Sequence, residues 1–173
     1  MMIRRIPIFL ALLCIIGGVF ISILFATQED YFKDHIKQGL SRNIKIQEIA
    51  DPVKKTETLK SEAEKNWRYF QRFHFHATGI GAMMMGILLF LTQINAPALS
   101  KTISSYLVAI GGSLYPLVWL FAGLYGPEMG RTEAKEAFAI FGYMGGVFLL
   151  GGVYAMVLSL KYDLEFTVKA RLK

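Results

Sequence analysis

Two of the three histidines in this chain, His74 and His76, lie where a polar segment changes into an apolar one. Histidine at such a boundary can ligate haem or a metal, titrate near neutral pH or anchor a membrane interface. Arg72 precedes both histidines, and Glu128 lies in a later loop that we expect at the same end of the molecule. These four residues form a candidate cofactor-binding site for an anionic head group, a quinone or a proton. Ordinary loop charges around interfacial histidines are the alternative, and we favour it.

The spacing of the histidines limits the metal chemistry that they can support. Residues two apart on a helix point about 200° away from each other. His74 and His76 therefore cannot bind one metal unless the helix unwinds, and at most one of them faces the bundle. His76 shares a helix face with Met83, and this pair is the candidate metal site. Bis-histidine haem within one chain leaves only His35 as the second ligand.

These residues do not decide which cofactor, if any, the protein binds. Methionine also ligates haem and suits Cu(I), so haem b and copper are both compatible with a methionine-rich chain that carries eight methionines. Methionine is more often adaptable filler between helices. We therefore take the absence of a cofactor as the default prediction.

The elements that must position these residues are four apolar segments without Asp, Glu, Lys or Arg. Each reaches the roughly 17–25 residues that a helix needs to cross the hydrocarbon layer. The chain of 173 residues is therefore predicted to be one membrane domain, an all-α integral membrane protein with four transmembrane helices in a bundle. The predicted spans are residues 7–27, 77–93, 103–125 and 137–160.

Residues 28–76 form the predicted extramembrane helical segment. Asp51 followed by Pro52 is typical of a helix N-cap with proline in the first turn. No glycine or proline interrupts the chain from there to Gly79. We therefore predict one helix from about Pro52 to Gln93, which extends the second span outside the membrane.

The first part of the extramembrane segment is polar with few apolar residues. Ile36 and Leu40 are four apart, a spacing that puts both on one face of a helix. This pattern predicts a short amphipathic helix that lies on the bilayer.

Short turns separate the last three apolar segments. Residues 95–97 close the second, residues 126–130 close the third, and Thr132 begins the fourth. Connections this short make the three helices neighbours in chain order. Pro116 is expected to kink the third segment, with its lost hydrogen bond covered by a neighbour or by Ser113.

Glycines in the apolar segments suggest where helices approach each other. Gly79 and Gly86 belong to the second segment, and Gly142 and Gly146 have a GxxxG spacing in the fourth. Because helices in lipid associate closely through small residues, we predict that these four glycines lie at helix contacts. Space for a flat cofactor is the other interpretation.

The charges give conflicting signals about orientation in the membrane. Arg4 and Arg5 directly precede the first apolar segment, whereas Glu29 and Asp30 follow it. A cytoplasmic N-terminus places fewer than half of the 19 Lys and Arg residues in the cytoplasm, which opposes the positive-inside rule. We give more weight to Arg4 and Arg5, and predict a multi-pass protein of the inner (plasma) membrane with both termini in the cytoplasm.

The sequence contains no motif that indicates an enzyme. No Gly-x-Ser-x-Gly, phosphate-binding glycine loop or zinc spacing is present, and no basic patch suggests nucleic acid. The apolar segments lack the ionisable residues that mark ion pathways. We therefore predict a non-enzymatic subunit or accessory protein of a membrane complex. Its partners would be the lipid bilayer and other membrane subunits or further copies of itself. The alternative is a haem- or metal-binding redox protein with a histidine ligand at the outer membrane face.

Overall fold

A computed structural model describes residues 5–165, and this part of the chain is helical apart from short connections and one isolated bridge between Ile94 and Leu164. The helices are α1 (Arg5–Thr27), α2 (Glu29–Arg42), α3 (Ile44–Gln47), α4 (Pro52–Gln93), α5 (Ala98–Leu114), α6 (Leu117–Met129), α7 (Arg131–Ala137) and α8 (Ala139–Lys161). The predicted all-helical class is confirmed for these residues.

Four stretches of helix are long and apolar enough to cross a membrane, as the composition predicts. They are α1, α4, the pair α5 and α6 taken together, and α8. α1 packs mainly on α4, α5 packs on α4, and α8 packs mainly on α5. The last three apolar segments are therefore neighbours in chain order.

α4 begins and ends where the sequence predicts. The side chain of Asp51 accepts hydrogen bonds from the backbone nitrogens of Val53 at 2.9 Å and Lys54 at 3.4 Å, and Pro52 opens the helix. The helix then continues for 42 residues to Gln93. At 1.5 Å per residue it is about 63 Å long. One rigid element thus carries both the polar segment and the second apolar segment.

The third apolar segment is interrupted at Pro116, where α5 ends and α6 begins. Proline has no N–H, so the carbonyl of Gly112 loses its usual helical donor. The Cys14 thiol of α1 lies 4.0 Å from that oxygen. Ser113 was the other expected donor, but its hydroxyl points to the carbonyl of Leu10 at 3.4 Å. Tyr115 and Pro116 keep right-handed helical dihedrals, so α5 and α6 continue one another through this irregular turn, and the neighbouring helix contributes the compensating contact.

The amphipathic helix predicted around Ile36 and Leu40 forms, as α2, but its apolar face contacts protein. Ile36 and Leu40 are only 2% and 3% exposed. They pack in a cluster with Phe32, Ile46 and Phe70. The expectation that this face lies on the bilayer is wrong, because α4 and α6 cover it.

α2 is held against the C-terminal end of α6. Gly39 lies directly against the ring of Pro127. The side-chain amide of Asn43 donates to the Pro127 carbonyl at 3.1 Å, and Nε2 of His35 binds the Leu124 carbonyl at 2.8 Å. The Pro127 carbonyl lies in the last turn of α6, where intrahelical donors run out, so Asn43 satisfies it, and His35 adds a contact one turn earlier.

The connection between the third and fourth apolar segments differs from the prediction, because it contains a short helix of its own. α6 continues through Met129 with Pro127 in its last turn, so residues 126–130 do not form the expected turn. The chain reverses at Gly130, whose φ of 102° favours glycine. Thr132 lies inside the short helix α7, and α8 begins only at Ala139.

Two glycines set the close approach of α1 and α4. A Cβ atom on Gly18 would lie 2.7 Å from Cγ2 of Thr78 and 2.8 Å from its backbone nitrogen. One on Gly81 would lie 2.6 Å from Cγ1 of Ile15. Both contacts are too short for any side chain, so the two backbones meet only because these positions are glycine.

The four glycines predicted at helix contacts do not make the close contacts seen among the described residues. A Cβ atom on Gly79, Gly86 or Gly146 would meet no atom within 4 Å. One on Gly142 would reach a single side chain, at 3.9 Å. Within this chain, Gly79, Gly86 and Gly146 therefore face no neighbouring helix closely, whereas Gly142 is in van der Waals range of Val118 in α6. α8 approaches α5 instead through Gly151, which lies against the backbone of that helix.

Adjacent glycines on α1 provide a test of the close helix contact. Gly18→Ala should lower the free energy of unfolding by about 1–3 kcal/mol, because the new methyl group collides with the Thr78 backbone. Gly17→Ala should leave it unchanged or raise it, since a Cβ atom there meets nothing within 4 Å. Thermal unfolding of the detergent-solubilised protein measures both. Equal effects of the two substitutions would contradict the described contact.

Candidate functional site

His74 and His76 contact different helices. Nδ1 of His74 donates to the carbonyl of Gly18 in α1 at 2.7 Å. Nδ1 of His76 donates to the carbonyl of Arg72 in its own helix at 2.8 Å. Its ring lies 5.5 Å from the ring of Tyr115 and 5.7 Å from that of Trp119. The two rings diverge as expected. Both nevertheless face a neighbouring helix, because α4 lies between α1 and α6, so the expectation that at most one does is wrong.

The hydrogen bonds of the two histidines fix the proton on the same ring nitrogen. A carbonyl oxygen only accepts, so Nδ1 must carry the hydrogen in both rings. When the imidazole is neutral, Nε2 then keeps a free lone pair. Metal-ligating histidines commonly have this arrangement, in which the nitrogen that does not bind the metal donates to a carbonyl.

Arg72 lies over an aromatic shelf formed by Tyr69 and Trp119. Its guanidinium carbon is 5.0 Å from the centre of the Trp119 ring and 5.7 Å from that of Tyr69. The two rings stack on each other at 5.9 Å. Such cation–π contacts contribute about 0.5–1 kcal/mol at exposed sites and hold the cation in place. The shelf thus fixes the position of a charged side chain that remains exposed.

Two buried polar atoms beside the shelf lack hydrogen-bond partners among the described residues. One is Nε1 of Trp119, and the other is Oδ1 of Asn66, whose side chain is fully buried. The amide nitrogen of Asn66 donates to the carbonyl of Glu62 at 2.8 Å. A Cβ atom on Gly126 would lie 2.7 Å from the unpartnered oxygen, so only glycine fits there.

Sequence reasoning missed Asn66, Tyr69 and Trp119 as a group. Glu62, Asn66, Tyr69 and His76 are separated by four, three and seven residues, which places them on one face of α4. This periodicity was a usable signal for the α4 half of the cluster. Nothing local to Trp119 indicated that α6 would bring its ring onto Tyr69.

An ion pair joins this part of α4 to α7. Nε of Arg131 lies 2.6 Å from Oε2 of Glu62, and Nη2 lies 3.4 Å from Oε1. Burial tends to raise the pKa of Glu62, but the hydrogen bonds from Arg131 and Lys65 outweigh it and lower that pKa below its usual value. The hydrogen bond from Glu62 likewise raises the pKa of Arg131. The carboxylate is therefore stabilised in its charged form.

Glu128, the predicted acidic member of the site, is in a different ion pair. Its carboxylate lies 3.5 Å from Arg42 of α2, and both side chains are largely exposed. A second pair links Lys45 to Glu133. The acid that stands near the shelf is Glu62, because α4 carries it on the same face as Asn66 and Tyr69.

The third histidine does not complete a ligand set. Nε2 of His35 carries its hydrogen to the Leu124 carbonyl at the far end of α6. The three histidines thus contact three different backbone carbonyls. In the part of the chain that the structure describes, no group of three His, Cys, Asp or Glu residues could hold a metal. Met83 is 53% exposed and lies two helical turns from His76, so their joint binding of a metal stays a prediction.

Comparisons of the chain with known protein families, curated proteins and solved structures found no match. The class of the protein therefore rests on its own fold and composition. It is all-helical over the described residues, with four apolar helices whose length and composition suggest a multi-pass membrane protein. Its polar cluster lies on α4 where the apolar part of that helix begins.

The Glu62–Arg131 pair predicts a stability that falls in acid. Because folding lowers the pKa of Glu62, the pair stabilises the protein above the usual pKa of a glutamate, and this contribution is lost as the pH falls through the lowered value. Glu62→Gln should remove that part of the pH dependence. Glu64→Gln, at an exposed position outside the described ion pairs, should retain it. Melting temperatures between pH 7 and pH 3 measure the difference, and parallel curves for both variants would contradict the assignment.

Proposed function

We propose that this protein is a non-enzymatic subunit or accessory protein of a complex in the inner (plasma) membrane. The four apolar helices support a multi-pass placement, since each is long enough to cross the hydrocarbon layer. The polar part of α4 then projects from the membrane together with α2, α3 and α7. The ion pairs and the buried cluster around Ile36 and Leu40 make this projecting part a packed unit.

The observation that carries the proposal is the open glycine face of α8. α8 packs on α5 through its Gly151 side. Gly142 and Gly146 lie on the opposite side, together with the exposed Leu149 and Val153. In lipid, a GxxxG face allows a second helix to approach closely, whereas it gives little packing against acyl chains. We infer that a helix of another subunit, or of a second copy of the chain, packs on this face.

The proposed orientation places both termini in the cytoplasm. Arg5 is the first residue of α1. Glu29 and Asp30 begin α2, just after the other end of α1. Basic residues next to the first span favour the cytoplasmic side. Three further basic residues that this orientation puts in the cytoplasm, Lys169, Arg171 and Lys173, lie outside the described residues, as does Arg4.

The accessory role predicts a particle larger than one chain. We expect the tagged protein, extracted from its native membrane in a mild detergent, to migrate as a complex whose subunits mass spectrometry identifies. Gly142→Leu and Gly146→Leu should release the monomer, because the larger side chain blocks the approach of a helix. The matched control is Gly17→Leu, at a position on α1 that, like Gly146, is free of neighbours within 4 Å. A wild-type protein that remains monomeric before and after cross-linking in the membrane would contradict the proposal.

A redox role is the second candidate, and the hydrogen bonds of the histidines favour it. Both His74 and His76 donate from Nδ1 to a carbonyl, which leaves Nε2 available as a haem or metal ligand. The second ligand would have to come from Met83 or from another chain. Haem b and copper are the cofactors that this donor set would suit.

An absorption spectrum and a metal analysis of the purified protein decide this second candidate. Haem would give a Soret band, and copper would be present in stoichiometric amount. His76→Ala should abolish either signal if His76 is the ligand, whereas His35→Ala should leave it intact because Nε2 of His35 is already bonded to Leu124. A colourless, metal-free protein from cells supplied with haem and copper would contradict the redox role.

A further inference from the structure

Arg72 heads an exposed stripe that runs down the apolar part of α4. His76, Gly79, Met83 and Gly86 follow it at steps of four, three, four and three residues, which is the spacing of one helix face. Gly79, Met83 and Gly86 are all exposed, and no atom lies within 4 Å of where a Cβ of either glycine would be. Gly79, Met83 and Gly86 thus form an open strip of helix surface, which we call the groove, with a cation at its upper end.

The charge of Arg72 is not neutralised by any carboxylate among the ion pairs of residues 5–165. The aromatic shelf of Tyr69 and Trp119 holds the guanidinium in place without cancelling its charge. A guanidinium group binds the oxygens of a phosphate through parallel hydrogen bonds. The local chemistry therefore favours a phosphate oxyanion as the ligand.

The dimensions of the stripe favour a phosphate that belongs to a lipid. From Arg72 to Gly86 the helix rises about 21 Å, which is close to the roughly 20–22 Å of one leaflet with its head groups. Arg72 lies five residues before Ala77, where the predicted span begins, or about 7.5 Å outside the apolar part. A head group at Arg72 would thus place its acyl chain along the glycines. A free phosphate would make no use of the groove.

We propose that Arg72, on its aromatic shelf, binds the phosphate of an anionic phospholipid whose acyl chain lies in the groove formed by Gly79, Met83 and Gly86. This site rests on the proposed membrane placement. His76 lies between the head-group end and the groove, with its Nε2 on the side of the ring that does not bond to the backbone. The bound lipid would cover the face of α4 on which Gly79, Met83 and Gly86 are exposed.

The test uses the full chain in nanodiscs made from equimolar phosphatidylcholine and phosphatidylglycerol, followed by release and native mass spectrometry of the retained lipids. We expect phosphatidylglycerol to be enriched about fivefold over phosphatidylcholine, which corresponds to about 1 kcal/mol. Arg72→Gln should reduce the enrichment to about one. Arg68→Gln is the matched control, because Arg68 lies one turn earlier on α4, is exposed and has no described contact with the shelf.

A second pair of variants tests the groove. Gly79→Leu should lower the retention of both lipids by filling the path of the acyl chain, and it should not disturb the fold, since the position is open. Gly17→Leu should leave retention unchanged. Circular dichroism confirms that each variant keeps its helices.

The outcomes separate the lipid site from the membrane placement. A wild-type chain that enters nanodiscs but shows no enrichment, or that loses it equally with Arg68→Gln, would overturn the site alone. Loss of the enrichment when inorganic phosphate is added at the same concentration as the lipid would also overturn it. The groove would then contribute nothing to binding. A chain that fails to enter nanodiscs would overturn the membrane placement as well.

Discussion

The uninterrupted length of α4 is the constraint on which the rest of the structure depends. This helix packs against α1 and α5 along its apolar part, and against α2 and α6 along its polar part. The polar half of α4 contains no glycine or proline, and bending it would break backbone hydrogen bonds. The helix therefore fixes the position of one of its ends relative to the other. The packed unit at one end and the apolar helices at the other are therefore held in a fixed relation.

The features that could be predicted from the sequence are those encoded by nearby residues. Asp51 and Pro52 define the start of α4 because a cap needs only its own side chain and the next backbone nitrogens. The four apolar helices follow from runs of uncharged residues, whose composition alone determines them. Pro116 likewise acts on its own backbone, so an interruption near it was predictable.

The features that could not be predicted depend on which helix faces meet. Ile36 and Leu40 showed that α2 has an apolar face, but a bilayer and a protein surface satisfy such a face equally well. Gly79 and Gly146 lie in apolar helices, as Gly18 and Gly81 do. Only Gly18 and Gly81, however, contact another helix closely. The candidate site was only partly predictable for the same reason. The helix periodicity placed Arg72 and His76 near each other, whereas the contribution of Trp119 depended on how α6 docks.

The polar cluster on α4 combines satisfied and unsatisfied groups. Glu62 and Arg131 neutralise each other, while Asn66 and Trp119 each keep an atom that has no partner in the described part of the chain. Such atoms cost about 1–3 kcal/mol when they are buried. The tight packing of Gly126 against Asn66 and the stacking of Tyr69 on Trp119 offset part of this cost, and they act together with the hydrogen bonds between Glu62 and Arg131.

The docking of α2 on the end of α6 also has a consequence for the order in which the chain is made. His35 and Asn43 of α2 leave the ribosome 89 and 84 residues before their partners Leu124 and Pro127. Until α6 has been synthesised, the apolar face of α2 lacks part of its cover. The apolar face of α2 can therefore reach its full burial only after the third apolar segment has been made, so this docking is a late step in the folding of the chain.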